Sequence, residues 1–511
     1  VAKKLVLAVV DAMHPGMLRE AMDSGEAPTF AALHERGRLI DDCVSSFPSV
    51  TPVACSEMLT GVGPGSHGVM GMNWFHRLER RYIEYGSSFE ATRTFGLFRA
   101  MYDLVYNMNL DHLSWEALTV FERLGDAGVR TATTPFLIWR GRRRHELGLE
   151  GLARRALAVA NFRHAVYAPD EFFYGDLYAS RPTGCVSNMG RPGNRDDYSA
   201  CVGEELVREG AYDFFLFALP DNDFHSHRHG PDAQVQSIAK ADDAFARIVE
   251  AGGGLDSFLD DHAVILTADH AQTPVEHELR LAEDLGADWR VLEPNSDRPE
   301  HAEIAVCPTS RAAAVYILGG GPGHAGAHRK VADRLRDMAG VDLVTWLADD
   351  RDRPVIRSGV GLEGSGEGTE AVVVCNGHEL RFNPGGATRD RRGGRWNVSG
   401  DMEALAAAKG GERFESEAYP DALGRLWSAL VSPHAGDMLV SAAHGYECTD
   451  WGGVSHLGGG SHGALIAEDS LAPLLFVGCG PDEPERNPQW ALRDLAPVIL
   501  EHFGIGLRWP S

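Results

Sequence analysis

Three short apolar runs constrain this chain most, because each ends in residues that do chemistry. Residues 5–10 read LVLAVV and run into Asp11. Residues 213–219 read DFFLFAL and run into Pro220, followed by Asp221, Asp223, His225, His227 and His229. Residues 263–268 read AVILTA and run into Asp269-His270. Continuous apolar runs of this length are the pattern of strands buried on both faces in a mostly parallel sheet. The carboxyl ends of parallel strands lie along one edge, where open α/β folds bind ligands. The three runs can therefore build one site. Asp223 precedes His227 by four residues, a step that puts both on one side of a helical turn. Three histidines and two aspartates within residues 221–229 are more than a solvated turn needs.

A second stretch points to the same place. Residues 47–54 read FPSVTPVA and continue through Leu59-Thr60-Gly61 to Ser66-His67-Gly68. Proline just inside a helix costs nothing, since that N–H has no intrahelical partner. This makes Thr51 a natural N-cap, with its hydroxyl among free N–H groups at the positive end of the helix dipole. Such a position binds phosphate. Taken alone, the segment is more readily read as an ordinary cap.

Composition narrows the classes of partner. With 48 Lys plus Arg against 73 Asp plus Glu, the formal net charge is -25. So acidic a chain repels a nucleic-acid backbone, although a bound metal can still invert the local field for a small anion. The 8 cysteines form no CxxC pair, so the expectation is a reduced, cytoplasmic chain without a disulfide framework or thiolate zinc site. The first apolar run is short and ends in a carboxylate, which reads as a strand rather than a signal peptide. No run approaches the ~20 apolar residues of a membrane span.

The remaining chain divides by texture. Residues 73–118, rich in aromatics, Arg and Met, read as loops and short helices that wall a pocket. The basic run at 139–145 reads as a solvated face, with Arg140 a candidate for contacting an anion. Residues 306–415, rich in Gly and charge, read as an inserted α+β cap between core segments 1–305 and 416–511. Gly321, Gly323 and Gly326 fit the GxGxxG spacing of a dinucleotide site, but a proline interrupts the loop and a lone match is weak. Residues 458–463, GGGSHG, place His462 between glycines, open to close approach by backbone or metal.

In order, Asp11, the FPSVT segment ending at Thr51, Asp223-x-x-x-His227-x-x-Gly230-Pro231, Asp269-His270 and Gly460-Ser461-His462-Gly463 resemble the alkaline phosphatase superfamily, nearest its type I phosphodiesterase/nucleotide pyrophosphatase branch. The resemblance implies a three-layer α/β core with a mostly parallel central sheet and a smaller cap. It implies two divalent metal ions, zinc by preference, with manganese or iron as alternatives. By resemblance, Asp11, Thr51, Asp269 and His270 would hold one ion, and Asp223, His227 and His462 the other. Thr51 would be the nucleophile of a hydrolase cleaving phosphodiester or pyrophosphate bonds through a phospho-threonine. Asn73 and Arg140 are candidates for substrate contact. The pattern departs from the family at Ala54-Cys55, at Asn73 (one place off) and at Ala271 in place of the usual glycine. Asp221 competes with Asp223 for the ligand role. A phosphomonoesterase or phosphonate hydrolase on the same site, and a non-catalytic metal-binding protein, are the alternative expectations. The implied partner is a small phosphate ester.

Overall fold

A computed structural model describes residues 2–148, 164–175, 177–187, 195–296, 298–319, 324–349, 356–358, 361–363, 368–408 and 413–506. The three apolar runs are strands: β1 (Lys4–Val10), β2 (Phe214–Leu219) and β3 (His262–Thr267). β1 sits between the other two and pairs in parallel with both, Leu7 opposite Leu216 on one side and Ile265 on the other. The sheet continues in parallel through Thr131–Thr133 and Glu171–Tyr174. On its other flank, β4 (Leu471–Val477) and Arg38–Val44 pair antiparallel.

Side chains alternate across a strand, so each face of β1 needs its own cover. Leu5, Leu7 and Val9 pack with Val53, Met58 and Leu59 of helix α1 (Thr51–Thr60). Val6, Ala8 and Val10 pack on the opposite face with Phe30, Ile238 and Phe245. Both faces are therefore helix-covered, which gives the expected three-layer core with a mostly parallel sheet.

A second sheet is antiparallel. Its strands run in the order Ile304–Thr309, Ala312–Ile317, Met438–Ala442, Val341–Ala348, Glu370–Cys375, His378–Asp390 and Arg395–Gly400. Met438–Ala442, which the sequence places with the resumed core, lies inside this sheet and pairs with Ala312–Ile317 and Val341–Ala348. Its apolar residues suit either sheet, and only pairing decides between them. Gly321 and Gly323 of the glycine-rich spacing lie outside the described residues.

Two expectations are corrected here. Cys185 and Cys201, 16 residues apart, are joined in a disulfide, so the cysteines are not all reduced. Their spacing carries no motif, and only the fold brings the pair together. Arg140 is fully buried and is not among the residues lining the large cavity described below. It pairs with Glu122 at 3.0 Å and donates to the carbonyls of Asn109, Leu113, Ser114 and Ala117. A guanidinium so occupied is a structural cross-link, with no donors left for an anion. No helix among the described residues is long and apolar enough to cross a membrane.

Candidate active site

The carboxyl ends of β1, β2 and β3 open onto one cavity of about 940 Å³. Asp11, Thr51, Asn73, Asp223, His227, Asp269 and His462 all line it. Thr51 is the first residue of α1. The cap position belongs to Val50, and no side chain bonds the free amides. The sequence reading of Thr51 as N-cap is thus off by one residue. The Thr51 hydroxyl lies 3.2 Å from His270 Nε2. Pro52, at the second helical position, has no N–H to cap, so the hydroxyl is left for other uses.

Two groups of ligand atoms surround that hydroxyl. Asp11, Asp269 and His270 form one, and Asp223, His270 and His462 the other, each with its ligand atoms within 4.8 Å of one another. His270 Nε2 is 3.4 Å from Asp269 Oδ2 and 3.8 Å from Asp11 Oδ1. Asp223 and His227 share one face of α2 (Asp221–His229), with His227 Nε2 3.4 Å from Asp223 Oδ1. His462 Nε2 approaches the same oxygen at 3.8 Å. The His270 and His462 rings stack at 3.7 Å between centroids.

Each imidazole is oriented from behind by a backbone carbonyl. His227 Nδ1 meets Gly460 O at 2.8 Å, His462 Nδ1 meets Ser49 O at 2.9 Å, and His270 Nδ1 meets Ala271 O at 3.1 Å. A carbonyl accepts only, so each Nδ1 carries the proton and each Nε2 presents a lone pair inward, as metal-bound histidines do. Burial pushes the His227 pKa down and that of His462 well down, which keeps both rings neutral. The Asp11 carboxyl shows the complementary sign. Asp269 Oδ1 accepts from the amides of Ala12 and His270, while its Oδ2 and the Oδ1 of Asp11 are buried without a hydrogen-bond partner. Burial first, and then Asp269 and Asp223, hold the Asp11 carboxyl well above the usual range. Orphaned buried carboxylate oxygens beside inward-facing imidazole lone pairs are a donor set for divalent cations with oxygen and nitrogen preference.

Asp223 lines the cavity, whereas Asp221 is not among its lining residues. Asp221 Oδ2 accepts from the amides of Arg195 and Asp196, at the start of the helix Arg195–Glu209. Asn73 reaches the cavity, but its Nδ2 donates to Ile83 O and Glu84 Oε2, leaving Oδ1 without a partner. Glu84 is itself buried, which pushes its carboxyl up to about 7.

Several supports were invisible to motif reading. Gln272 Nε2 donates to Asp223 Oδ1 at 2.6 Å and so aims it. Asp469 accepts from Ala464 N through Oδ2, and from Arg311 and Thr273 through Oδ1, while its carbonyl takes the amide of Ala271. It thereby ties the loop after His270 to the loop after His462. Glu447 accepts from Ser461 and holds His456, whose ring stacks on His227 at 4.1 Å. The glycines beside His462 are required sterically. A Cβ on Gly459 would stand 2.0 Å from His227 O, and Gly463 has φ +117° with Thr309 O at 3.0 Å from its would-be Cβ. Short polar residues such as Gln272 and Asp469 have no spacing signature, and only their proximity to Asp269-His270 and His462 hinted at them.

The sequence model described as type I phosphodiesterase / nucleotide pyrophosphatase matches residues 5–339. No curated protein sequence matches the chain significantly. Among solved structures, phosphonoacetate hydrolase from Sinorhizobium meliloti 1021 in complex with phosphonoformate is similar at 16% identity and TM-score 0.51, over 97% of this chain and 94% of that one. Murine ectonucleotide pyrophosphatase / phosphodiesterase 5 is similar at 13% identity and TM-score 0.52, over 99% and 96%. The human form gives 12% and 0.54, over 100% and 97%. At these identities the likeness concerns the fold alone.

Proposed function

The chain belongs to the type I phosphodiesterase / nucleotide pyrophosphatase family and is a phosphoric ester hydrolase, and we propose that it cleaves phosphodiester or pyrophosphate bonds through a covalent phospho-Thr51, with two divalent cations. The observation that carries this reading is the Thr51 hydroxyl, which turns away from helix capping toward two groups of carboxylate and imidazole donors on a cavity wall.

Asp11, Asp269 and His270, with the Thr51 oxygen, would hold one cation, and Asp223, His227 and His462 the other, with His270 close to both groups. Zinc suits this donor set best, manganese and iron next, and such ions supply Lewis-acid charge that offsets the anionic phosphate and favours an ionised hydroxyl. The chain's own residues do the rest. Thr51 Oγ1 attacks phosphorus as the bond to the leaving oxygen breaks on the opposite side. Its place at the start of α1 sets the phosphoryl group against the positive end of the helix dipole. The proton that the Thr51 hydroxyl loses passes to solvent, and the leaving alkoxide takes one up from solvent water. Water then attacks the phospho-threonine, the Oγ1–P bond breaks, and the hydroxyl is regenerated. The carbonyls of Ser49, Gly460 and Ala271 fix the imidazoles so that the donors need not reorganise.

The test is paired turnover of a nitrophenyl phosphodiester and the matching monoester by zinc-loaded protein, with Thr51→Ala alongside. Preference for the diester and loss of at least about 10³ in kcat in the variant, at unchanged metal content, is the expected result. Monoester preference would move the reading to a phosphatase. Near-normal turnover by Thr51→Ala would remove the covalent mechanism.

A further inference from the structure

The cavity around Thr51 is far more apolar than a site for a compact polyanion requires. Leu104 and Phe136 line it, and at its rim Phe89, Phe224, Val454 and Leu457 line it while remaining 69%, 39%, 44% and 53% exposed. Large apolar side chains held at the water boundary of a functional cavity mark a surface that awaits an apolar occupant.

The charges of the lining point the same way. Among the described lining residues the only guanidinium or ammonium groups belong to Arg195 and Arg228. Arg195 lies over the Phe224 ring at 5.7 Å. Apart from the three aspartates beside Thr51, the lining adds the carboxyl groups of Glu84, Glu447 and Asp450. A second phosphate or a carboxylate on the substrate would find no excess of positive charge there, whereas a hydrocarbon arm would meet hydrocarbon.

We propose that the substrate is a phosphodiester bearing one long alkyl-type chain, which lies along the apolar wall and leaves past the Phe89–Leu457 rim. The inference rests on the phosphodiesterase reading above and adds the chemistry of the ester's second arm.

The test uses metal-loaded protein and nitrophenyl esters of methyl, butyl and octyl phosphate, so that the leaving group is constant. kcat/KM rises about fourfold for each methylene the wall takes up, so the octyl ester, with seven more methylenes, exceeds the methyl ester by up to about four orders of magnitude. The double variant Phe89→Ser with Leu457→Ser lowers that octyl-to-methyl ratio at least tenfold. Leu78→Ser, 63% exposed and outside the cavity lining, leaves the ratio unchanged. Turnover of the methyl ester with a flat chain-length series overturns the inference and spares the phosphodiesterase reading. So does a nitrophenyl ester of thymidine phosphate outrunning the octyl ester. If no ester is turned over, the phosphodiesterase reading falls. Calorimetry of decyl phosphate against methyl phosphate on metal-loaded Thr51→Ala then decides the inference alone. Equal affinities overturn it, and tighter binding of the decyl compound supports it.

Discussion

Acid should destabilise this protein through a histidine cluster that takes no part in catalysis. His67, His112 and His434 gather near Trp74, whose ring stacks on His434 at 4.6 Å and meets His112 edge-on at 5.1 Å. Gly68 places His67 next to the others: its carbonyl bonds His434 Nδ1 at 3.0 Å, and the amide of Val69 donates to His67 Nδ1 at 3.1 Å. His112 Nδ1 is bonded to the Tyr85 hydroxyl at 2.7 Å. None of these partners is a carboxylate. His76 and Arg81 near His112, and His76 and Arg77 near His434, add positive charge. Burial therefore wins, and it pushes the pKa of His112 down to about 2, that of His67 to about 3 and that of His434 to about 4. The folded values lie below the unfolded value of about 6.5, so protons bind the unfolded chain preferentially. The stability from keeping these rings neutral is complete above pH 6.5 and is lost as pH falls toward 4. At pH 5 the unfolded chain gains 1.36 kcal/mol for each of about 1.5 pH units at each histidine, or about 2 kcal/mol apiece and about 6 kcal/mol for three. That rivals the whole stability of a typical domain, about 5–15 kcal/mol. Urea unfolding followed by tryptophan fluorescence at pH 7.5 and pH 5, on chelator-stripped protein, gives the loss for wild type. The same pair of curves on His112→Phe should show a loss smaller by about 2 kcal/mol. Equal losses in the two proteins would refute the argument, because titration at the active-site ligands is common to both and cancels.

Three further outcomes follow from particular contacts. Asp469→Ala leaves the Arg311 guanidinium buried without its partner and should cost about 3–5 kcal/mol in urea unfolding, with metal content falling as the two loops separate. Gly463→Ala forces a Cβ into a backbone at φ +117° and against Thr309 O. It should cost about 1–3 kcal/mol and lower metal stoichiometry by displacing His462, read by elemental analysis. Removing the metals should lower the melting temperature, and restoring zinc at a hundred times its dissociation constant should return about 2.7 kcal/mol per site, read by calorimetry.

Residues whose chemistry is announced by their neighbours were legible in the sequence. Asp11 and Asp269-His270 stand out because an apolar run cannot end in a carboxylate inside a core, and Asp223 and His227 because a helical step of four joins them. Residues that act through geometry were not legible. Thr51 looks the same in sequence whether it caps a helix or faces a cavity, and only the 3.2 Å contact with His270 separates the two. Arg140 sits in a run of arginines whose other members reach solvent or surface acids, such as Arg142 with Asp126 and Arg144 with Glu146, and nothing local marks it as the one that turns inward. Met438–Ala442 is as apolar as a core strand, and its place in the second sheet depends on partners more than 90 residues away.

The same distinction explains why the site forms only with the whole fold. Thr51 and His270 are 219 residues apart, His227 and Gly460 are 233 apart, and His462 and Ser49 are 413 apart. No local segment can pre-form these contacts, because each closes a long loop whose entropy must be offset by burial elsewhere. The sheet provides that offset. Once β1 is zipped between β2 and β3, Asp11, the start of α2 and Asp269 are neighbours whatever their side chains prefer. The three carboxylates then stand together with two oxygens unsatisfied, a cost that the apolar faces of β1 support and that bound cations relieve. Helix α2 shows the division within nine residues. Asp223 and His227 serve the cavity at the sheet's edge, while Asp221 spends its carboxylate on the amides of Arg195 and Asp196, holding in place the helix that carries Tyr198 to the cavity wall.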